Sequence, residues 1–243
     1  MMADVQAVVH MGGISVEGPF APILQANVVG VYNLYEAARK NGTKRVAFAS
    51  SNHVTGFYKQ SETITAERPP RPDGYYGLSK AFGEDISRMY FDRYGIETAC
   101  VRIGSSFPKP RDRRMLATWL SYDDLHRLIT ACLTTPVLAH TIIFGMSNNS
   151  VTWWDNAQAR HAGYVPKDKT TALVQRRRVA EVGLGCTAIY LVSENIRTVP
   201  MGRCLPAELH ESHGKHQTRR AGHVDAGHPC RQQTLRAHCR CAR

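Results

Sequence analysis

Hydrophobic residues in the first two thirds of the chain follow two alternating patterns. Short apolar runs predict four buried β-strands, at residues 5–10, 45–50, 96–103 and 141–144. Between them, apolar residues recur every three or four positions, which predicts helices over residues 22–40 and 74–94 and a third that opens at Ser121. A further short helix is expected near Trp153 and Trp154. Strands that alternate with helices are typical of an α/β fold built on a parallel sheet.

Glycine or serine follows three of the predicted strands directly. These positions are Gly12-Gly13, Ser51 and Gly104-Ser105. In open parallel sheets, ligands bind beyond the carboxyl ends of the strands. The sequence therefore predicts that the three segments converge on one cleft.

The alternating pattern ends at about Lys169, and the remainder has a different composition. Residues 170–243 carry 12 Lys and Arg against 5 Asp and Glu, so they supply +7 of the net charge of +11. They also hold five of the seven cysteines and no Phe or Trp. We therefore predict a folded domain over residues 1–169 and a poorly structured basic tail over residues 170–243.

Length and composition narrow the class of protein. A chain of 243 residues can bury a sizeable core. No apolar run approaches the roughly 18 residues needed to cross a bilayer, and no signal peptide is visible, so no membrane partner is expected. Cys100 and Cys132 lie in predicted elements, where buried, reduced thiols are expected. This pattern favours a cytoplasmic protein.

Tyr76 and Lys80 have the spacing Tyr-x-x-x-Lys. On a helix this spacing places both side chains on one face, with their Cβ atoms about 6 Å apart. A phenol is a poor base because its ordinary pKa is near 10, but an adjacent ammonium favours the phenolate, which can take a proton from a hydroxyl. Ser51 can hold that hydroxyl. The three residues predict alcohol–carbonyl oxidoreductase chemistry, although the spacing alone also fits a surface helix.

The neighbours of these residues favour the oxidoreductase. Five blocks resemble the extended short-chain dehydrogenase/reductase superfamily and occur in its order: residues 10–15, 27–38, 49–56, 76–80 and 101–105. Within that superfamily, Ser-Ser-Asn-His at 50–53, the run at 114–121 and Trp-Trp-Asp-Asn at 153–156 look like NAD-dependent uronate dehydrogenases. The resemblance covers roughly residues 4–169 and implies a Rossmann-like parallel sheet with flanking helices.

The resemblance also implies a reaction and a site. A uronic acid such as glucuronate or galacturonate would be oxidised at its anomeric carbon to an aldarolactone, with NAD as cofactor. Tyr76 would be the base, Lys80 would depress its pKa, and Ser51 would bond the reacting hydroxyl. The family's substrate contacts carry over to Ser15, Asn52, His53, Ser105 and Arg114. Its cofactor contacts carry over to Gly12, Gly13, Tyr76, Lys80 and Ile103.

Physical chemistry supports a sugar acid separately. The planar guanidinium of an arginine can bind a carboxylate through two parallel hydrogen bonds. Arg114 lies in a loop soon after a strand end, beside Arg111 and Arg113. Without the resemblance all three would be interpreted as solvated loop charges; the resemblance favours Arg114 as the carboxylate ligand and leaves the other two solvated. No metal-ligand spacing surrounds His53, so a neutral hydrogen-bonding role is expected there and no metal site is predicted. Asn27 is expected to anchor the active-site backbone, with a solvent-facing position as the alternative.

A dinucleotide-binding fold holds the pyrophosphate at a glycine-rich turn after its first strand, and in the resembled family this turn precedes the strand that ends in His-x-Gly-Gly. Here that strand begins at about residue 5, so about 60 residues of strand–helix units are expected to be lacking. The sheet would be truncated, the strand at 5–10 would form an exposed edge, and NAD would bind weakly or not at all. Residues 183–188 fit G-x-G-x-x-A, but they lack a strand–helix frame.

The tail leaves alternatives open. A shifted reading frame at about Lys169 would produce the abrupt change in composition there, and this is the leading hypothesis. His228, Cys230 and the His238–Cys241 run carry zinc-type ligands without a recognised finger spacing. A basic protein that binds nucleic acid through the tail is another alternative, although aromatic residues for base stacking are nearly absent.

Two further expectations concern the domain. A sugar-nucleotide epimerase or dehydratase is the alternative enzyme within the superfamily, although the larger substrate domain of such enzymes is not evident. The helices at 22–40 and 74–94 resemble the pair that the superfamily packs across a two-fold axis. This resemblance favours a homodimer. The other expected partner of the chain is its substrate, a small sugar acid.

Overall fold

The computed structural model describes residues 5–170, 190–192 and 197–198. The predictions made for the rest of the tail, including the zinc-type residues and the glycine pair at 183–185, lie outside these residues. A six-stranded sheet runs through the described part in the order β6-β3-β2-β1-β7-β8. Its strands are β1 (Ala7–His10), β2 (Arg45–Ser51), β3 (Glu97–Ile103), β6 (His140–Gly145), β7 (Tyr190–Val192) and β8 (Arg197–Thr198). Two short strands, β4 (Ser105–Ser106) and β5 (Trp119–Leu120), pair separately.

The four strands expected from the apolar runs are parallel neighbours. Val8 pairs with Val46, Phe48 with Cys100, and Cys100 with Ile142. In β2 every residue after Arg45 is buried, as expected for a strand covered on both faces. The predicted α/β fold with a Rossmann-like parallel sheet is confirmed.

The expectation that the first strand is an exposed edge is wrong. β7 pairs with β1 in antiparallel orientation, with Val8 opposite Leu191, and β8 then pairs with β7. Both strands fall in a segment for which the sequence predicted no regular structure, because the pairing partner lies about 180 positions away and no period marks it. The backbone of β1 is therefore hydrogen-bonded on both sides.

Helices flank the sheet. They are α1 (Phe20–Ile23), a π-helical segment (Leu24–Val29), α2 (Gly30–Lys40), α3 (Tyr75–Tyr94), α4 (Met115–Thr118) and α5 (Tyr122–Thr134), with 3-10 turns at Asn52–Thr55 and Ala157–Ala162. α3 ends at Gly95, whose φ of 68° suits a glycine cap. Ser121 caps α5 as predicted, because its Oγ accepts a hydrogen bond from the Asp124 N–H at 2.9 Å. None of the described helices is long and apolar enough to cross a membrane.

Two apolar clusters hold these layers together. On one face of the sheet, residues such as Phe48 and Cys100 pack with Tyr35 of α2 and Tyr90 of α3. On the other face, strand residues pack with α5 and the last 3-10 turn; this cluster includes Ala99, Val101, Leu128, Cys132 and Ala162. Cys100 and Cys132 are buried and unpaired, as predicted. Helix α3 is thus fixed against the sheet.

Candidate active site

The carboxyl ends of the parallel strands meet at one edge of the sheet. Ser51, the last residue of β2, lies directly beside Ile103, the last residue of β3. Ile103 in turn lies beside Gly145 at the end of β6. The Gly12-Gly13 turn follows β1 at the same edge. The predicted convergence of these segments is a consequence of the parallel register.

Gly13 and Asn27 shape the turn after β1. Gly13 has a φ of 115°, and a Cβ added there would lie 2.5 Å from the Asn27 Oδ1. That Oδ1 accepts a hydrogen bond from the Ile14 N–H at 2.8 Å, while the amide Nδ2 donates to the Ile14 carbonyl and to the Ser79 hydroxyl, each at 2.9 Å. Asn27 is 2% exposed. It anchors the active-site backbone as predicted and links the turn to α3.

Tyr76 and Lys80 occupy the buried face of the first turns of α3. The Lys80 Nζ donates to the carbonyl oxygen of Ala49 on β2 at 2.8 Å. It lies 5.8 Å from the centroid of the Tyr76 ring. The main chain of β2 therefore fixes the ammonium close to the phenol, and the sequence prediction that both side chains share one face is confirmed.

Burial moves the two pKa values in opposite directions. It raises the pKa of the Tyr76 phenol, and hydrogen bonding from Ser51 opposes this rise. It lowers the pKa of Lys80 to about 8. Both shifts disfavour the charged forms, as desolvation does in general. The phenolate and the ammonium are therefore most stable when they occur together, because each supplies the counter-charge that the other lacks.

Ser51 opens a short 3-10 turn that carries Asn52 and His53. The Ser51 hydroxyl accepts a hydrogen bond from the His53 N–H at 3.2 Å and donates to the Asn52 Oδ1 at 3.4 Å. The His53 ring meets the Tyr76 ring edge-on, with centroids 5.5 Å apart. The turn thus brings Ser51, Asn52 and His53 together and places the His53 ring against the Tyr76 ring.

A cavity of 310 Å³ opens next to this turn. Its lining includes Asn52, His53, Asp73, Arg114, Trp153 and Trp154. Within the described part of the chain, no ion pair engages the Arg114 guanidinium. The neighbouring Arg111 lies over the Phe107 ring at 3.8 Å. Arg114 is therefore the arginine of this loop that can meet a carboxylate in the cavity.

Of the predicted site residues, Asn52, His53 and Arg114 line this cavity. The others do not line it: Gly12, Gly13, Ser15, Ser51, Tyr76, Lys80, Ile103 and Ser105. Ser15 is exposed in the loop after β1. The buried Ser105 shares a hydrogen bond of 3.0 Å with the Thr118 hydroxyl. Ile103 packs against the core cluster on the α5 side of the sheet. Their predicted roles toward substrate and cofactor remain predictions.

Trp154 has a packing role, as expected. Its ring stacks on Phe144 with centroids 5.2 Å apart, and its backbone pairs with that of Ile64 in an isolated β-bridge. The same ring also lines the cavity. The tryptophan thus supports the cavity wall from the core.

Sequence reasoning missed two acidic residues at the site. The Glu17 carboxylate accepts hydrogen bonds from the Tyr75 and Tyr76 N–H groups, both at 3.0 Å, and so caps the N-terminus of α3. The Asp73 carboxylate contacts the His53 Nδ1. Both lie in loops, 58 and 20 positions from their partners, and no periodic pattern marks them.

A buried ion pair joins α3 to the strands. The Arg102 Nη2 donates to the Glu84 Oε2 at 2.7 Å, and the Ser50 hydroxyl donates to the Glu84 Oε1 at 2.5 Å. Arg102 and Glu84 are 1% and 3% exposed. The pair therefore connects α3 with the residue before Ser51 on β2 and the residue before Ile103 on β3.

His10, the last residue of β1, is 5% exposed, and its ring stacks on Phe48 with centroids 5.8 Å apart. Among the described residues, neither ring nitrogen has a hydrogen-bond partner. Burial, followed by the positive charge of Lys80, lowers the pKa of His10 to about 4. The imidazole is therefore neutral at physiological pH.

The sequence model of the NAD dependent epimerase/dehydratase family matches residues 1–124, just over half of the chain. The chain belongs to this family. It is 59% identical to the uronate dehydrogenase of Pseudomonas syringae pv. tomato over 170 residues, which are 70% of this chain and 62% of that protein. It is also 52% identical to the uronate dehydrogenase of Agrobacterium fabrum over 181 residues, which are 74% of this chain and 68% of that protein.

A solved member of the family is also similar. It is a mutant of the uronate dehydrogenase from Agrobacterium tumefaciens complexed with NAD; it shares 53% sequence identity, with a TM-score of 0.68 over 70% of this chain and 64% of that one. The chain thus spans a little over 60% of the length of several of its relatives.

The described residues suit the nicotinamide end of NAD. Gly13 lets the turn after β1 pack closely against Asn27, because a Cβ there would lie 2.5 Å from the Asn27 Oδ1, and Lys80 offers its ammonium beside Tyr76. Between residues 5 and 170, no glycine-rich turn joins a strand to a helix N-terminus in the way that holds a pyrophosphate. The same residues contain no group of three or more His, Cys, Asp or Glu side chains suited to a metal ion.

Proposed function

We propose that this chain carries the catalytic site of an NAD-dependent oxidoreductase that converts a uronic acid, glucuronate or galacturonate, to its aldarolactone by oxidation at C1. The observation that carries the proposal is the buried Tyr76–Lys80 pair beside Ser51. The relatives named uronate dehydrogenase support the substrate class.

Tyr76 is the general base of this proposal. Its oxygen takes the proton of the C1 hydroxyl, and Ser51 holds that hydroxyl through a hydrogen bond. The Lys80 ammonium supplies the opposite charge near the phenolate, and its bond to the Ala49 carbonyl oxygen keeps it in place. Proton transfer by a positioned side chain typically contributes about 10²- to 10⁴-fold to the rate.

The bound nicotinamide accepts the hydride that leaves C1. In the pyranose form C1 bears both the reacting hydroxyl and the ring oxygen, so loss of one proton and one hydride gives the lactone carbonyl directly. No water is consumed in this step. The residues of the chain therefore have to position one hydroxyl, accept one proton and bind the sugar.

The carboxylate of the sugar distinguishes this substrate from a neutral one. Arg114 lines the cavity with its guanidinium outside any ion pair of the described residues. A guanidinium can bind a carboxylate with two parallel hydrogen bonds. We therefore assign Arg114 to the carboxylate and the turn from Ser51 to His53 to the hydroxyl groups.

The test is NADH formation at 340 nm in the presence of millimolar NAD. Glucuronate and galacturonate are expected to react, whereas glucose and galactose, which lack the carboxylate, are expected to react poorly. Tyr76→Phe is expected to lower kcat by at least about 100-fold, since it removes the base. Turnover of UDP-glucuronate but of neither free uronate would favour the alternative of a sugar-nucleotide enzyme and would overturn the proposal.

A further inference from the structure

His53 and Asp73 form a close pair at the mouth of the candidate site. The Nδ1 of His53 lies 2.9 Å from one carboxylate oxygen of Asp73 and 3.0 Å from the other. An ionised carboxylate only accepts hydrogen bonds. Nδ1 must therefore carry a proton and donate it to Asp73.

The surrounding backbone is shaped to allow this contact. A Cβ added at Gly56 would lie 2.1 Å from the Asp73 Oδ2, so a side chain there would displace the carboxylate. A Cβ added at Gly77 would lie 2.5 Å from the carbonyl oxygen of His53. The His53 N–H also donates to Ser51. Asp73 thus packs closely against Gly56, while His53 is held against Gly77 of α3 and hydrogen-bonded to Ser51.

The second ring nitrogen, Nε2, has no hydrogen-bond partner among the described residues. The side chain of His53 is 46% exposed, lines the same cavity as Arg114 and meets Tyr76 edge-on at 5.5 Å. In a neutral imidazole the nitrogen without the proton is an acceptor, and the bond made by the other nitrogen decides which one that is.

We propose that Asp73 is a positioning residue that keeps the proton of His53 on Nδ1 and so presents Nε2 as an acceptor to a hydroxyl of the bound sugar acid. This inference rests on the proposed function for the identity of the sugar.

The tautomer can be measured without turnover. The full chain is labelled with ¹⁵N in its histidines, and His53→Gln assigns the His53 signals in long-range ¹H–¹⁵N spectra at pH 8.5, well above the ordinary imidazole pKa of about 6.5. We expect a protonated Nδ1 and an unprotonated Nε2. In Asp73→Ala the proton is expected to shift at least partly to Nε2, whereas Asp92→Ala, which breaks an exposed pair with Arg88, is expected to leave His53 unchanged.

Glucuronate or galacturonate is then added to the same sample. We expect the Nε2 signal of the unsubstituted chain to move, and the response to weaken in Asp73→Ala. A proton on Nε2 or on both nitrogens of the unsubstituted chain would overturn the proposal, as would an unchanged tautomer in Asp73→Ala. Binding of a sugar acid that leaves Nε2 unmoved would also overturn it. A protein that responds to neither sugar acid would count against the proposed function, while the tautomer would still decide the role of Asp73.

Discussion

At the scale of single residues, the chemistry depends on burial as much as on side-chain identity. Tyr76 and Lys80 are both buried, and burial raises the pKa of the phenol and lowers the pKa of the ammonium. A phenol with a raised pKa is a weaker source of phenolate at neutral pH. The ammonium 5.8 Å from the ring therefore has to offset the desolvation before Tyr76 can act as a base.

His10 provides a residue-scale prediction about stability. Its pKa is about 4 in the folded chain against about 6.5 in an unfolded one, so the unfolded state binds more protons between these values. The contribution of His10 to the free energy of unfolding is thus fully present above pH 6.5. It is lost as the pH falls toward 4, and a pKa shift of this size corresponds to about 3 kcal/mol.

The measurement is the free energy of unfolding by urea at pH 7 and pH 4, for the unsubstituted chain and for His10→Leu. The loss of unfolding free energy between pH 7 and pH 4 is expected to be smaller in His10→Leu. The Asp and Glu carboxylates titrate equally in both proteins, so the difference between the two losses belongs to His10. Equal losses in the two proteins would show that His10 is not buried in its neutral form.

The residues of the proposed reaction could be located from the sequence, but only one of the residues that support them could. Tyr76 and Lys80 share a helical spacing, and Ser51 follows an apolar strand. The five ordered sequence blocks around them favoured an enzyme site over a surface helix. Asn27 was expected to be an anchor and is one. Glu17 and Asp73 act across loops, where no period connects a residue to its partner.

At the scale of elements, periodicity predicted the long strands and helices and missed the irregular segments. The strands expected at 45–50 and 96–103 were observed at Arg45–Ser51 and Glu97–Ile103. The helix expected over 22–40 is interrupted by a π-helical segment that contains Asn27, whose side-chain bonds are tertiary. β4 and β5 have two residues each, which is too short for any repeating pattern.

The buried pair between Glu84 and Arg102 gives the element-scale prediction. Removal of one partner leaves a buried charge without compensation, so Arg102→Met is expected to cost about 3–5 kcal/mol of unfolding free energy. Arg88→Met on the same helix breaks an exposed pair with Asp92, for which about 1 kcal/mol or less is expected.

Urea unfolding of both variants at pH 7 distinguishes the two cases. The double variant Glu84→Met with Arg102→Met should recover part of the loss, because no charge is then left buried. Similar losses in Arg102→Met and Arg88→Met would contradict a role for the buried pair in holding α3 against β2 and β3.

At the scale of the whole molecule, strand pairing between segments far apart in the chain could not be predicted from the sequence. β1 is covered by β7, from a part of the chain with no predictable structure. The predicted homodimer stays a prediction. It is supported by large apolar side chains that are exposed on the helical segments between residues 20 and 94, among them Phe20, Leu24, Tyr32, Leu78 and Met89.

The most direct test of the central claim follows the hydrogen on C1. The full chain is incubated with NAD and with glucuronate or galacturonate that carries deuterium at C1, and the nicotinamide product is examined by mass spectrometry and NMR. Transfer of the deuterium to the nicotinamide ring, with appearance of the aldarolactone and loss of both products in Tyr76→Phe, is the predicted result. Reduced nicotinamide without deuterium, or label transfer that persists in Tyr76→Phe, would contradict oxidation at C1 by this site.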